Sequence, residues 1–213
     1  FNRSKKRILP AFNFWFLYHF NFINCWFWFG NFLSSFGLHR HINDFLRLSV
    51  ITFNETAKQV VPLTELPSFQ APVLNASGCT SLGDALSLLA SSIEREVAKT
   101  TAEEKGDWKP LVFIMTDGEP TDDWTKGLEA LKKVRTGVVV ACAAGPGADT
   151  SVLKKITEVV VSLDTADDAT IKAFFKWVSA SVSVGSQKVD QGQKEVIGLS
   201  DLPAPPPEVN VVL

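Results

Sequence analysis

The sequence predicts an α/β fold in which a doubly wound, mostly parallel sheet is flanked by helices. Strand-like apolar runs alternate along the chain with longer stretches whose apolar residues recur every three or four positions. Two of the strand-like runs, LVFIM at 111–115 and GVVVACAAG at 137–145, are continuously apolar, which is typical of strands covered on both faces. Because strands and helices alternate, we expect parallel pairing through helical crossovers.

The first half of this pattern begins at residue 46. LRLSVITF at 46–53 is alternating and rich in branched side chains, so it predicts a strand. AKQVVPL at 57–63 predicts the hairpin partner of that strand, and Pro62 places the partner at an edge because proline lacks a backbone donor. A long amphipathic helix is then predicted by the spacing of five apolar residues: Leu82, Leu86, Leu89, Ile93 and Val97.

The second half repeats the same order. Apolar spacing from Trp124 to Val134 predicts a helix, and Asp149 predicts the cap of a shorter one. A further strand is predicted at 159–163, and a last helix from about Ala169. The chain turns polar after residue 185 and contains APPP at 204–207. That composition favours an extended polyproline conformation, so we expect a docked arm or a flexible end.

The composition changes sharply near residue 45. The first 44 residues hold 10 of the 16 Phe, 3 of the 6 Trp and the only Tyr. We therefore expect three segments: an atypical aromatic segment at 1–45, an α/β domain at 46–185 and a polar, proline-rich tail at 186–213. The length of the chain suits one ordinary domain.

Charge, histidine and cysteine content limit the function. The formal net charge is −2, but residues 1–44 carry +4 and the remainder carries −6. Such an acidic body lacks the basic face that a nucleic-acid partner requires. All three histidines lie in the first 41 residues. This excludes a Ser-His-Asp triad or a Cys-His dyad built from residues 46–213 alone. The cysteines form no C-x-x-C pair, so we expect free thiols in a reducing, cytoplasmic compartment.

An acidic loop follows the predicted strand at 111–115. Ligands of open α/β sheets bind at the carboxyl ends of strands, which is where this loop lies. In a structural interpretation, Thr121 or Asp122 caps the following helix; in a functional one, the loop holds a hard cation. The loop groups four carboxylates within seven residues: Asp117, Glu119, Asp122 and Asp123.

Thr80 is a second candidate cation ligand. It lies where the long helix begins, in SGCTSLGDAL at 77–86. Its hydroxyl could cap that helix, or act as the neutral oxygen ligand that Mg²⁺ accepts alongside carboxylates and water. Thr80 and Asp117 together indicate a cation site more specifically than either residue does alone.

These stretches resemble the von Willebrand factor A fold, which is Rossmann-like, and its metal-ion-dependent adhesion site. The similarity extends from about residue 46 to the C-terminus and includes loops and tail. The stretches that carry this similarity are LSVITFNETAKQVVPLTELPSF, SGCTSLGDAL, KGDWKPLVFIMTDGEPTDDW, GVVVACAAGPGADTSVLKKI, IKAFFKWVSASVS and LPAPPPEVNVV. At that level the chain resembles the TerY proteins of bacterial tellurium-resistance clusters.

The resemblance implies a metal site of three parts. An Asp-x-Ser-x-Ser loop follows the first strand, a threonine comes from the second loop and an aspartate from the third. Thr80 matches the second part and Asp117 the third. The first part has no counterpart, because residues 1–45 contain no Asp-x-Ser-x-Ser and no aspartate except Asp44. We therefore expect Mg²⁺ binding to be weak or absent.

Three interpretations of the aromatic segment remain open. KKR followed by an apolar run resembles a membrane anchor, although Asn13, His19 and further polar residues interrupt it. Alternation of aromatic residues from Phe12 to Phe22 instead favours a strand that fills the place of the family's missing first strand. The third interpretation is a frameshift or misplaced start, which would explain the abrupt beginning of family-like sequence near Leu46.

The resemblance implies a function without catalysis. It indicates a cytoplasmic protein-interaction module linked to tellurite and stress resistance, with a kinase-like protein and a PP2C-type phosphatase as partners and no membrane or nucleic-acid partner. The alternative is a Mg²⁺-dependent phosphohydrolase that uses the acidic loop from Asp117 to Asp123. Against it, the neighbouring strand end at 143–145 (Ala-Ala-Gly) offers no second catalytic side chain.

Overall fold

A single seven-stranded sheet forms the centre of the protein. The computed structural model describes residues 12–18, 46–72, 78–145, 147–165, 167–190 and 203–212. The strands are β1 (Phe12–Tyr18), β2 (Leu46–Phe53), β3 (Ala57–Glu65), β4 (Leu111–Thr116), β5 (Val139–Ala144), β6 (Val159–Leu163) and β7 (Asn210–Val211).

The sheet is mostly parallel. Its order is β3-β2-β1-β4-β5-β6-β7, and every pair from β2 across to β6 is parallel. Only the two outer pairs, β2 with β3 and β6 with β7, are antiparallel. The predicted hairpin and its edge position are therefore confirmed, as is the mixed, mostly parallel α/β class.

Helices cover both faces of the sheet. The described helices are α1 (Leu82–Glu96), α2 (Trp124–Lys133), α3 (Thr150–Ile156) and α4 (Asp168–Asp190). The first three pack over one face, where Leu86, Leu128 and Leu153 join the side chains of the strands in one apolar core. On the other face α4 builds the second core with Phe174 and Val178. This two-sided covering is the doubly wound arrangement that the sequence predicts.

β1 is an interior strand of the sheet, next to the middle strand β4. It pairs in parallel with β2 on one side and β4 on the other, so the aromatic segment supplies the strand between the strands at 46–53 and 111–116. Phe16 stacks on Phe113 of β4, with 5.3 Å between ring centroids, and contacts Phe175 of α4. The alternating pattern thus marks a strand at 12–18; the rest of the aromatic run, including His19, lies outside the described residues.

The opposite face of β1 contains polar atoms without partners. Asn13 is 1% exposed and Trp15 is fully buried. Neither the amide of Asn13 nor the indole nitrogen of Trp15 makes a hydrogen bond. Each unsatisfied buried group costs about 1–3 kcal/mol. β1 therefore fills its place in the sheet without satisfying its own polar side chains.

The described part of the C-terminal tail docks against the body. The indole nitrogen of Trp177 in α4 donates to the carbonyl of Pro203 at 2.8 Å. Val209 is buried, and the following residues form β7 against β6. Residues 203–212 therefore form the docked arm, which is one of the two expectations for the tail. Within the described residues, no helix is long and apolar enough to cross a membrane.

Candidate functional site

Four loops meet at the carboxyl end of the parallel strands. They follow β2, β4 and β5 and precede α1. The residue Ser81 joins two of them, because its backbone N–H donates to the carbonyl of Asn54 at 3.0 Å and its hydroxyl to the carbonyl of Glu55 at 2.9 Å. In open α/β sheets this edge is where ligands bind. The candidate residues Thr80 and Asp117 both lie here.

Thr80 is buried against the loop that follows β4. Thr80 is only 5% exposed. The hydroxyl lies directly over Gly118, where an added Cβ would come within 3.0 Å of Thr80 Oγ1. The Thr80 hydroxyl does not cap α1. The N-cap residue of that helix is Ser81, whose side chain makes no capping hydrogen bond. The structure therefore brings Thr80 next to the residue that follows Asp117.

Asp117 directly follows β4 and is held from a third loop. On either side of Asp117, the Thr116 hydroxyl accepts a hydrogen bond from the Gly118 N–H at 3.4 Å. Gly147, in the loop after β5, comes so close that an added Cβ would lie 2.8 Å from the Asp117 carbonyl. Only a residue without a side chain fits at 147 without displacing this carbonyl. Asp117 thus lies between the loops that carry Thr80 and Gly147.

Reciprocal hydrogen bonds join the Thr80 loop to the acidic loop. The Thr80 N–H donates to the Thr121 hydroxyl at 3.1 Å, and the Thr121 N–H donates to the Thr80 carbonyl at 3.0 Å. Two bonds in opposite directions set the distance between the loops. This role of Thr121 has no local sequence pattern, because the pairing joins residues 41 positions apart.

Asp122 caps a helix, but not the helix that the sequence suggests. Its two carboxylate oxygens accept the N–H groups of Gly83 and Asp84 at the start of α1, each at 2.9 Å. The prediction that Thr121 or Asp122 caps the following helix is therefore wrong. The N-cap of α2 is Asp123, and no side-chain hydrogen bond caps that helix. The Asp122 carboxylate reaches the positive end of α1 because α1 and α2 begin side by side.

Two glycines allow this close approach of helix ends. A Cβ on Gly83 would lie 2.5 Å from the carbonyl oxygen of Asp123, and one on Gly127 would lie 2.2 Å from the carbonyl oxygen of Gly83. No side chain fits at either distance, so backbone packs directly on backbone. This contact places the acidic loop over the start of α1.

Two further acidic side chains near these loops, Asp123 and Asp149, serve local structure. The carboxylate of Asp123 accepts from the Thr125 hydroxyl and pairs with Lys126, and these contacts lower the pKa of Asp123. Asp149 caps α3 by accepting the N–H groups of Ser151 and Val152, and the bond from Ser151 lowers the pKa of Asp149. The predicted cap at Asp149 is confirmed.

The donor set can be compared with what a metal requires. Thr80 and Asp117 supply a hydroxyl and a carboxylate, the oxygen ligands that hard cations accept. Across the described ranges, no three or more His, Cys, Asp or Glu side chains group closely enough to hold a metal ion. The residues that directly follow β1, where the resemblance places the first metal loop, lie outside those ranges.

Comparison with protein families decides the relationship. A family model described as the von Willebrand factor type A domain matches residues 29–176, which is more than half of the chain. The chain belongs to the von Willebrand factor type A domain family. The match starts after β1, so this strand precedes the region that carries the family's sequence signal. Among curated proteins, none matches the chain.

Solved structures show the same domain fold. Proximal thread matrix protein 1 from the mussel byssus is 15% identical, with a TM-score of 0.60 over 80% of this chain and 48% of its own. A second structure of that protein, described as having a zinc-occupied MIDAS motif, has a TM-score of 0.56 at the same identity and coverage. The pilus adhesin SpaC of Lactobacillus rhamnosus GG is 12% identical, with a TM-score of 0.60 over 83% of this chain and 31% of its own. The chain spans about half the length of the mussel protein.

Proposed function

We propose that the chain is a non-catalytic protein-interaction module of the TerY type, active in the cytoplasm in tellurite and stress resistance. Membership of the von Willebrand factor type A family supports the general role, because domains of this family bind other proteins. The similarity of the loops and tail to TerY proteins supports the specific one. Its partners would be a kinase-like protein and a PP2C-type phosphatase.

The interaction surface in this proposal is the carboxyl edge of the sheet. The observation that carries it is the joining of the loops of Thr80 and Asp117 by the Thr80–Thr121 pair and the Asp122 cap. Such bonds hold the loops in one arrangement before any partner binds. A preformed surface loses less entropy on binding than a mobile one.

The metal site at that edge is incomplete in this proposal. Thr80 and Asp117 provide two oxygen ligands, whereas Mg²⁺ requires six in near-octahedral geometry. Water can supply some of them, but residues 1–45 contain no Asp-x-Ser-x-Ser to supply the rest. The two donors alone do not fit a Mg²⁺ site, so partner binding would proceed without a tightly held cation.

Titration calorimetry tests the metal proposal. We expect no saturable binding of Mg²⁺ or Mn²⁺ to the full chain at sub-millimolar concentrations. Asp117→Asn and Thr80→Ala should behave like the unaltered protein, and Asp123→Asn serves as the control for loss of a carboxylate from the same loop. Tight binding that is lost in Thr80→Ala and Asp117→Asn, but kept in Asp123→Asn, would contradict the incomplete site.

Co-elution tests the partner proposal separately. The purified chain is mixed with the kinase-like protein and the PP2C-type phosphatase of a tellurium-resistance cluster and analysed by size-exclusion chromatography. We expect a complex with at least one of them that survives addition of EDTA. If neither partner binds at micromolar concentrations, the TerY assignment fails, whatever the calorimetry shows.

A phosphatase assay separates this proposal from the hydrolase alternative. Turnover of p-nitrophenyl phosphate with Mg²⁺ should equal that of the buffer. The reason is that the strand end beside the acidic loop, at 143–145, consists of Ala, Ala and Gly, and so offers no nucleophile or second carboxylate. Activity that disappears in Asp117→Asn would favour the hydrolase.

A further inference from the structure

A cavity of about 450 Å³ lies at the opposite end of the sheet from the candidate site. It is bordered by the C-terminal ends of α1 and α2 and by the loop that leads into β4 at Leu111. Its volume falls within the roughly 300–1,000 Å³ of pockets that bind small molecules. Five cationic side chains line it: Lys99, Lys105, Lys109, Lys133 and Arg135.

One wall of the cavity is a loop folded tightly on itself. Within residues 98–107 the Asp107 N–H donates to the Ala98 carbonyl at 2.9 Å, and the Gly106 N–H donates to the Thr100 hydroxyl at 3.1 Å. Gly106 is packed so closely that an added Cβ would lie 2.4 Å from the Thr100 nitrogen. These contacts preform the wall.

The acidic side chains in the lining leave a surplus of positive charge. Only Glu94 and Asp107 oppose the five cations. Asp107 is already engaged, since its carboxylate accepts from Arg47 at 3.4 Å and from the Ala98 N–H at 3.0 Å. The helix ends contribute about half a negative charge each, which reduces the surplus but does not remove it. Residues 45–213 together carry −6, so the cavity differs in sign from the net charge of the body.

Three of the five cations, Lys99, Lys133 and Arg135, form no ion pair in the part of the chain that the structure describes. Lys105 lies over the ring of Trp108 at 4.3 Å. Apolar side chains complete the lining, among them Ile93 and Val134. The cavity therefore combines apolar walls with cationic groups around them.

We propose that this cavity binds a small organic polyanion, a compound with an apolar or aromatic body and at least two negative charges, such as a phosphate ester. The apolar wall of Ile93 and Val134 would contact the body. Lys99, Lys133 and Arg135 would form charge-assisted hydrogen bonds with the anionic groups, which are stronger than neutral ones. The site shares no residue with the loops of Thr80 and Asp117, and its proposal does not rest on the proposed partners.

Calorimetry with ATP in EDTA-containing buffer tests this site, with ATP as a probe of the required chemistry. We expect saturable binding to the full chain that weakens as NaCl is raised, because salt screens the cations. Lys133→Ala should weaken binding by about tenfold, the size expected for one hydrogen bond to a charged group. Adenosine, which lacks the charges, should bind far more weakly than ATP.

Lys132→Ala is the matched control. Lys132 is the neighbouring residue on the same helix, is also exposed, has the same charge and is not part of the lining. It should leave ATP affinity within about twofold, a change that corresponds to less than one ordinary hydrogen bond. Both lysines are exposed, so both variants should unfold at the temperature of the unaltered protein.

Three results would overturn the assignment. The first is no saturable heat with millimolar ATP. The second is an equal loss of affinity in Lys132→Ala and Lys133→Ala, which would mean that ATP responds only to overall charge. The third is binding of a hepta-glutamate peptide where ATP does not bind, which would make the cavity a docking site for an acidic protein segment.

Discussion

The two central strands, β1 and β4, occupy equivalent places but differ in how well their side chains fit. All six residues of β4 are buried, and its one polar side chain, Thr116, has a hydrogen-bond partner in the next loop. β1 packs its apolar residues as well, yet it leaves three polar atoms of Asn13 and Trp15 without partners. The backbone hydrogen bonds of the sheet are thus sufficient to hold a strand in position. They do not require that the side chains of the strand find hydrogen-bond partners.

The largest expected effect tests whether β1 contributes to the core like β4. Leu17 and Ile114 are register partners on the same face, and both are nearly fully buried. Leu17→Ala and Ile114→Ala should each lower the free energy of unfolding by about 2–5 kcal/mol, because each leaves a cavity in the core. Urea denaturation measures both.

A large loss of unfolding free energy in Ile114→Ala with no change in Leu17→Ala would contradict the expected equivalence of β1 and β4 in the core. It would mean that residues 12–18 do not occupy the centre of the sheet in solution. Intact mass and N-terminal peptides of natively expressed protein address the related question of the segment's origin. If the segment results from a frameshift or misplaced start, the native protein should lack peptides covering 12–29, and detection of such peptides would exclude that interpretation.

The next effect has the opposite sign and concerns Asn13. Asn13→Leu keeps nearly the same shape and removes two buried atoms that have no hydrogen-bond partner. We expect the free energy of unfolding to rise by about 1–3 kcal/mol, the usual cost of an unsatisfied buried group. The same urea experiment measures the increase.

Asn13→Asp is the control at the same position. A carboxylate placed there would be buried without a partner, so the protein should become less stable. If Asn13→Leu were neutral or destabilising, water or the segments outside the described ranges would have to satisfy the amide, and the contrast between β1 and β4 would narrow.

The smallest expected effect concerns the loop that follows β4. Asp122→Ala removes the acceptor of two backbone N–H groups of α1 and should cost about 1 kcal/mol, as loss of a helix cap does. Asp123→Ala, one position away, removes only exposed contacts with Thr125 and Lys126 and should change stability much less than Asp122→Ala, because solvent screens exposed ion pairs. Thermal unfolding compares the two variants. Equal effects would mean that Asp122 does not cap α1 in solution.

The order of elements was predictable because it depends on local periodicity. The continuous apolar run before Asp117 predicted a strand covered on both faces, and Pro62 predicted the edge strand. The placing of Thr80 and Asp117 on adjacent loops was also predictable, since the carboxyl ends of parallel strands share one edge. Asp122 was assigned to the wrong helix because a cap formed across 38 residues has no local sequence pattern.

The sequence by itself determined the α/β class, the doubly wound order and the positions of the two candidate ligands, because apolar periodicity and strand-to-loop transitions are local properties. The tertiary structure alone decided which helix Asp122 caps, how Thr121 joins the Thr80 loop and which polar atoms of β1 lack partners. It alone also brought five cations around one cavity. These features join residues that are distant along the chain, and only the packed fold sets the distances between them.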